Sequence, residues 1–185
     1  MSTTSTQLNG VDLARLQETV SHIQNDPGLA RFTFRAQTSW QDGAHVRTEI
    51  GGFYGAGTED ASRTEPFVLE GDEPPVLLGT NRAPNAVETV LHALTSCLAV
   101  GFAYNAAVRG IEVRSLDFTV EGDLDLHRFL GLSEENRAGY EGIEVRYRVD
   151  ASREQIEELC AYVQSTSPVM DVLRNPVPVR VSLEA

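Results

Sequence analysis

Residues 87–108 constrain the fold of this chain more than any other segment. The run from Val87 to Val108 is almost continuously apolar, yet Glu88, His92, Thr95, Ser96 and Asn105 interrupt it. As a helix it would be roughly 33 Å long at ~1.5 Å per residue, which is membrane-spanning length. Hydrocarbon would leave each of those polar groups without a hydrogen-bond partner, so no membrane span is expected. A helix apolar on most sides but dotted with polar groups fits the middle of a domain, covered by other elements. Its start is expected near Asn85, after the turn cluster Gly79–Pro84. Its stop is expected at Arg109-Gly110, a cation in the last turn followed by glycine.

The segments around it read as short elements that would cover such a helix. Asp12 can cap a helix with Leu13, Leu16, Val20 and Ile23 on one stripe, stopped by Asn25-Asp26-Pro27. Phe32, Phe34, Ala36 and Trp40 then alternate with polar residues, predicting a strand with one buried face. Gln41-Asp42-Gly43 predicts a hairpin returning along Ala44–Tyr54, and Gly51, Gly52, Gly55 and Gly57 open a loop that runs to Thr64. Pro66–Glu70 predicts a short edge strand. Beyond the central helix, Leu116, Phe118 and Val120 alternate with polar residues, as do Ile143, Val145, Tyr147 and Val149. Ile156, Leu159, Cys160 and Val163 mark one face of a helix over 152–166, and Ser167-Pro168 opens a short helix to about Leu173. Val177, Val179, Val181 and Leu183 predict a closing strand. The pattern is α+β: an antiparallel sheet, polar on one face, packed against a long buried central helix.

Composition narrows the function classes. The 185 residues carry a formal net charge of -12, with acids scattered along the chain, which repels phosphate backbones and anionic lipid; no nucleic acid and no membrane partner is expected. Cys97 and Cys160 are the two cysteines, far apart and without ligand spacing. They predict neither a disulfide framework nor a metal site, and such economy suits a reducing cytoplasm. His22, His45 and His127 form no cluster at ligand spacing, and no cofactor is expected. The first ten residues are polar and Ser/Thr-rich, with no secretory pattern, and are expected to lack order.

The stretch Pro84-Asn85-Ala86-Val87-Glu88-Thr89-Val90-Leu91-His92-Ala93-Leu94-Thr95-Ser96-Cys97 resembles the signature of the OsmC/Ohr family. That signature is a Pro-initiated helix with a glutamate in its first turn, then Ala-Leu and a small residue before cysteine. Val120-Glu121-Gly122-Asp123-Leu124-Asp125, Ser167-Pro168-Val169 and Asn175-Pro176-Val177-Pro178-Val179 resemble it as well. The resemblance covers roughly residues 30–184, so residues 1–29 read as a polar tail and extra helix ahead of an OsmC-like domain, residues 30–185. It implies an intertwined homodimer with paired central helices and active sites at the interface. It also implies a cysteine-based peroxidase for organic hydroperoxides, in which a second cysteine resolves the first as a disulfide and an external dithiol resets the enzyme.

Cys97 matches the attacking cysteine of that motif. Attack needs a thiolate, whereas an ordinary thiol is mostly protonated at neutral pH. Cys97 lies about three turns into its helix, where the helix dipole has faded. The family resemblance therefore implies a nearby arginine, for which Arg47 is the leading choice and Arg35 the next. Glu88 matches the family glutamate with an offset: in the peroxidase branches it falls one position earlier, where this chain has Val87. Nine residues before Cys97, Glu88 sits about 13 Å along the axis and near the opposite face, so it could join the site only from a partner subunit. An acid in a first turn also has a purely structural use. Cys160 reads as a core residue, and His92 as pairing with Glu88 or solvent.

The largest departure is Ser167, where the redox-active branches carry the second cysteine. A hydroxyl forms no disulfide, and Ser167 has its own structural role as a helix N-cap ahead of Pro168. The sequence thus points to a one-cysteine peroxidase whose reductant is an external thiol. The alternative is a non-enzymatic dimer of the same fold that binds a small apolar ligand at its interface.

Overall fold

A computed structural model of the chain describes residues 7–151 and 153–184. It divides into two compact units, Asp12–Val90 and a second made of Gln7–Val11 with the residues from Leu91 onward. The architecture is α+β, with antiparallel ladders and one long helix.

The described residues begin with paired short strands, β1 (Gln7–Leu8), inside the first ten residues expected to lack order, and β2 (Val11–Asp12) just after them; Met1–Thr6, the earlier part of that stretch, lie outside the described residues. The Asn9 side chain anchors this turn within the second unit, donating to the Ile111 carbonyl at 2.9 Å and accepting from the Val113 N–H at 2.9 Å. Helix α1 (Leu13–Asn25) starts where the sequence predicts, because the Asp12 carboxylate accepts from the N–H groups of Ala14 and Arg15.

In the first unit, β3 (Gln37–Asp42) and β4 (His45–Ile50) form the predicted hairpin around Gly43. Two details differ from expectation. Residues 31–36 stay outside the ladder apart from a bridge between Thr33 and Tyr54, and β3 is exposed on both faces. The returning arm breaks at Gly51-Gly52, after which β5 (Phe53–Gly55) pairs with β6 (Thr58–Asp60) in what the sequence suggested was loop. The reason is local: Ala56 and Gly57 both have positive φ, which closes a tight turn. Strand β7 (Phe67–Gly71) pairs with the other side of β4, as the edge strand expected there.

The second unit holds most of the core. Helix α2 (Ala86–Val108) sends Leu94, Leu98, Phe102 and Ala106 inward. They meet Ile156, Leu159, Cys160 and Val163 of α3 (Arg153–Thr166) and the apolar faces of β8 (Ser115–Asp123) and β9 (Gly142–Asp150). Leu116, Phe118, Ile143, Val145 and Val149 supply those faces, at the positions where the alternation put them. Gly101 is what lets α3 come close: a Cβ there would sit 3.3 Å from a Val163 methyl. By length and composition alone α2 could cross a membrane, but its inner face is committed to this core.

Helix α4 (Pro168–Arg174) follows at once. The closing strand is absent. Residues 176–184 form no ladder, and Val181 and Leu183 are 94% and 99% exposed. Alternating residues specify a strand only when a neighbouring strand is present to complete its hydrogen bonds, and this segment has none among the described residues.

Candidate functional site

Cys97 projects from the middle of α2, one residue before the core residue Leu98. It is partly exposed, unlike Cys160, which is buried on the inner face of α3. The polar group beside it is Ser167, whose hydroxyl donates to the Cys97 sulfur at 3.1 Å across 70 residues of sequence. Ser167 is only 5% exposed, so this contact is largely shielded from water.

The local chain explains why Ser167 stands there. Its Oγ accepts from the Met170 N–H at 3.2 Å, capping α4, and Pro168 occupies the first helical position, where an N–H would be unpaired anyway. Val169 and Met170 then pack against the core that α2 and α3 share. The cap fixes the backbone, the packing fixes the helix, and together they fix the hydroxyl against the sulfur. Chemically, the arrangement offers a sulfur nucleophile with a hydroxyl donor beside it.

Cys160 has a different environment. Burial pushes its thiol up from the ordinary value, partly offset by the Tyr147 phenol. Tyr147 itself is pushed up to about 12, by Cys160 first and then by burial. Both effects keep the pair neutral in the physiological range, as suits core groups.

Glu88 occupies the first turn of α2 and makes a reciprocal cap with Asn85. Its carboxylate accepts from the Asn85 N–H, and the Asn85 side-chain oxygen accepts from the Glu88 N–H, both at 2.9 Å. His92, expected to pair with Glu88 or solvent, lies 3.4 Å from the Ser96 hydroxyl at an exposed position.

Arg47 lies on β4, bonded to Glu70 at 3.0 Å and flanked by Glu49 at 3.5 Å. Arg35 makes a two-pronged pair with Glu59, both bonds at 2.9 Å. Arg47 and Glu88 thus belong to the Asp12–Val90 unit, while Cys97 and Ser167 belong to the other.

Sequence reasoning did not single out a polar cluster that organises the approach to α2. Asp72, buried at the end of β7, accepts from the Thr80 hydroxyl at 2.5 Å and from the N–H groups of Glu73, Thr80 and Arg82 at 2.8–3.2 Å. The Thr80 hydroxyl and those backbone donors hold its carboxyl well below the usual carboxylate range despite burial. Arg82 reaches on to His45 Nδ1 at 3.2 Å, and His45 Nε2 meets Glu70 at 2.7 Å. A guanidinium only donates, so in these contacts Nδ1 is the accepting nitrogen of His45 and Nε2 faces the carboxylate. The signal was present in the sequence as an acid beside the turn Glu73-Pro74-Pro75, but its donors are up to ten residues away.

Among the described residues, no group of three acids, histidines or cysteines could hold a metal. An open depression of about 490 Å³ lies between residues 123–132 and Glu141; its walls are acids, leucines and His127, with no cysteine or serine.

Comparison with known proteins agrees with this fold. A family model described as OsmC-like protein matches residues 79–182, which include Cys97, Ser167 and the whole of α2. The fold is similar to the OsmC like protein from Mycoplasma pneumoniae, with a TM-score of 0.60 at 14% identity, covering 78% of this chain and 89% of that one. It is also similar to a Legionella pneumophila protein described as an organic hydroperoxide resistance protein OsmC, at TM-score 0.54 and 18% identity, covering 77% and 90%. A third likeness is an OsmC-like protein of unknown function from Vibrio cholerae, at TM-score 0.54 and 13% identity, covering 75% and 92%. Among curated proteins, none matches the sequence.

Proposed function

Because the chain belongs to the OsmC-like family, we propose that it reduces organic hydroperoxides through the single thiol of Cys97. The observation that carries this reading is the contact between Cys97 and Ser167. These are the two positions that resemble the family's thiol pair, and they lie within bonding distance of each other with the attacking thiol intact.

The reaction follows from the atoms present. The Cys97 thiolate attacks one peroxide oxygen, the O–O bond breaks, and the alkoxide leaves and takes up a proton as the alcohol. Cys97 becomes a sulfenic acid. Ser167 cannot complete a disulfide, so a small external thiol condenses with the sulfenic acid, releasing water and forming a mixed disulfide. A second thiol then displaces Cys97 and leaves as the oxidised reductant. An alkyl group on the peroxide gains from burial against apolar side chains, which favours organic peroxides over hydrogen peroxide.

The protein works as a cytoplasmic homodimer in this reading. Support comes from apolar surface left open in the single chain: Val100, Tyr104 and Val108 along α2, and the unladdered valines of residues 177–181. The partner subunit would supply strand edges for the latter and bring a cation, Arg47 being the leading choice, toward the sulfur with Glu88 orienting it.

Consumption of cumene hydroperoxide with excess small thiol tests the reading, comparing wild type with Cys97→Ser and Cys160→Ser. Turnover should vanish in Cys97→Ser and survive in Cys160→Ser. Equal rates in all three would refute the enzyme and leave the apolar-ligand-binding dimer.

A further inference from the structure

The Ser167 oxygen has its hydrogen-bonding directions assigned by the fold. One lone pair is taken by the Met170 N–H at 3.2 Å, and the side chain is almost fully buried, so water does not compete for the rest. The hydroxyl has one proton, and the acceptor placed to receive it is the Cys97 sulfur at 3.1 Å. A hydroxyl in solvent would rotate freely among partners; this one is aimed.

From this we infer that Ser167 is a positioning residue for Cys97, its hydroxyl donating to the sulfur so as to favour the ionised form and hold it in one orientation for attack. The inference rests on the thiol reading above and deepens it. A hydrogen bond to sulfur strengthens as negative charge develops there, because charge-assisted bonds are about twice as strong as neutral ones. Ser167 therefore has two separable duties, capping α4 through its oxygen and supporting Cys97 through its proton. The second duty also bears on the oxidised state. A sulfenic acid formed on Cys97 meets a hydroxyl where a thiol would have captured it at once, so it persists until an external thiol arrives.

The size of the effect is limited by two opposing trends. Losing a donor to an ion shifts a thiol–thiolate balance by about one to two orders of magnitude. The sulfur that remains ionised becomes intrinsically more nucleophilic, with a Brønsted slope of about 0.5, which returns about half of that on a logarithmic scale. The net loss of rate at neutral pH is about three- to tenfold.

Two substitutions separate the duties. Ser167→Gly removes the proton donor, while glycine is tolerated at a helix N-cap with little loss. Ser167→Thr keeps both the oxygen and the proton. The assay is the second-order rate of Cys97 alkylation by iodoacetamide at pH 7, with the label located by peptide mass spectrometry and the fold checked by circular dichroism. Ser167→Gly should react about three- to tenfold more slowly than wild type, and Ser167→Thr at close to the wild-type rate. After a single peroxide pulse, dimedone should trap the Cys97 sulfenic acid in wild type. Alkylation of Ser167→Gly as fast as wild type would overturn the inference, as would Ser167→Thr as slow as Ser167→Gly. Alkylation involves no peroxide, so it judges Ser167 even where cumene hydroperoxide is not consumed; that failure would strike the peroxidase reading alone.

Discussion

Replacing the Ser167 oxygen by sulfur should turn a one-thiol site into a two-thiol one. The Ser167 oxygen and the Cys97 sulfur are 3.1 Å apart, and a disulfide needs about 2.05 Å, so roughly 1 Å has to be closed. The longer carbon–sulfur bond of Ser167→Cys covers part of that, and a small side-chain rotation the rest. The bridge would span 70 residues, for which the chain-entropy relation gives a ceiling of about 4.4 kcal/mol at 25 °C. For a chain of this size that is a rise in Tm of roughly 9–18 °C, less whatever strain the bridge carries. The experiment treats reduced Ser167→Cys with one equivalent of cumene hydroperoxide and measures intact mass and thermal unfolding, with and without dithiothreitol. A loss of two hydrogens with a higher, dithiothreitol-sensitive Tm is expected. Both thiols still free to alkylate after diamide, a thiol oxidant that needs no peroxidase chemistry, would refute the placement of α4 against α2, and with it the geometry on which the site depends.

Three more outcomes rest on particular contacts. Asp72 has its carboxyl held below the usual range in the folded protein, so its contribution is complete above about pH 4 and is lost as pH falls toward the folded value. Asp72→Asn should therefore lower the Tm at pH 7 while flattening the acid side of the stability–pH curve; an unchanged curve would count against the cluster. A Cβ at Gly79 would sit 1.8 Å from the Glu73 carbonyl oxygen, so Gly79→Ala forces the backbone apart and should cost about 1–3 kcal/mol by urea unfolding. Cys160 and Tyr147 have raised folded-state values, so stability should fall as pH rises past the unfolded thiol near ~8.5 and again past the unfolded phenol near ~10. Cys160→Ala should remove the first decline, as alkaline thermal melts would show.

Elements specified by neighbouring residues were legible, and those specified by distant partners were not. The stop at Arg109-Gly110, the buried face of α3 and the Ser167 cap each depend on residues within a few positions, and each stands where the pattern put it. The alternation in β8 and β9 was readable because one face of each meets the core. Phe32 and Phe34 alternate just as well, but they stack on Phe53 and on each other instead of joining a ladder. Residues 177–183 alternate and form no ladder with any described residue. Within the site, Cys97 and Ser167 were both named from a family resemblance, whereas their contact is a property of how α2, α3 and α4 pack. Asp72 was missed for the same reason, since its donors come from a folded loop.

The reciprocal bonds between Asn85 and Glu88 alter how a loss-of-function variant should be interpreted. A chain with Glu88→Ala would lose the clamp on the first turn of α2, and a frayed start could loosen the helix on which Cys97 rides. An inactive Glu88→Ala protein would then say nothing about catalysis. Glu88→Gln is the informative change, because an amide oxygen still accepts from the Asn85 N–H but brings no charge to any arginine. One glutamate can thus serve as a splint, as a charge, or as both, and only a replacement that preserves the splint can weigh the charge.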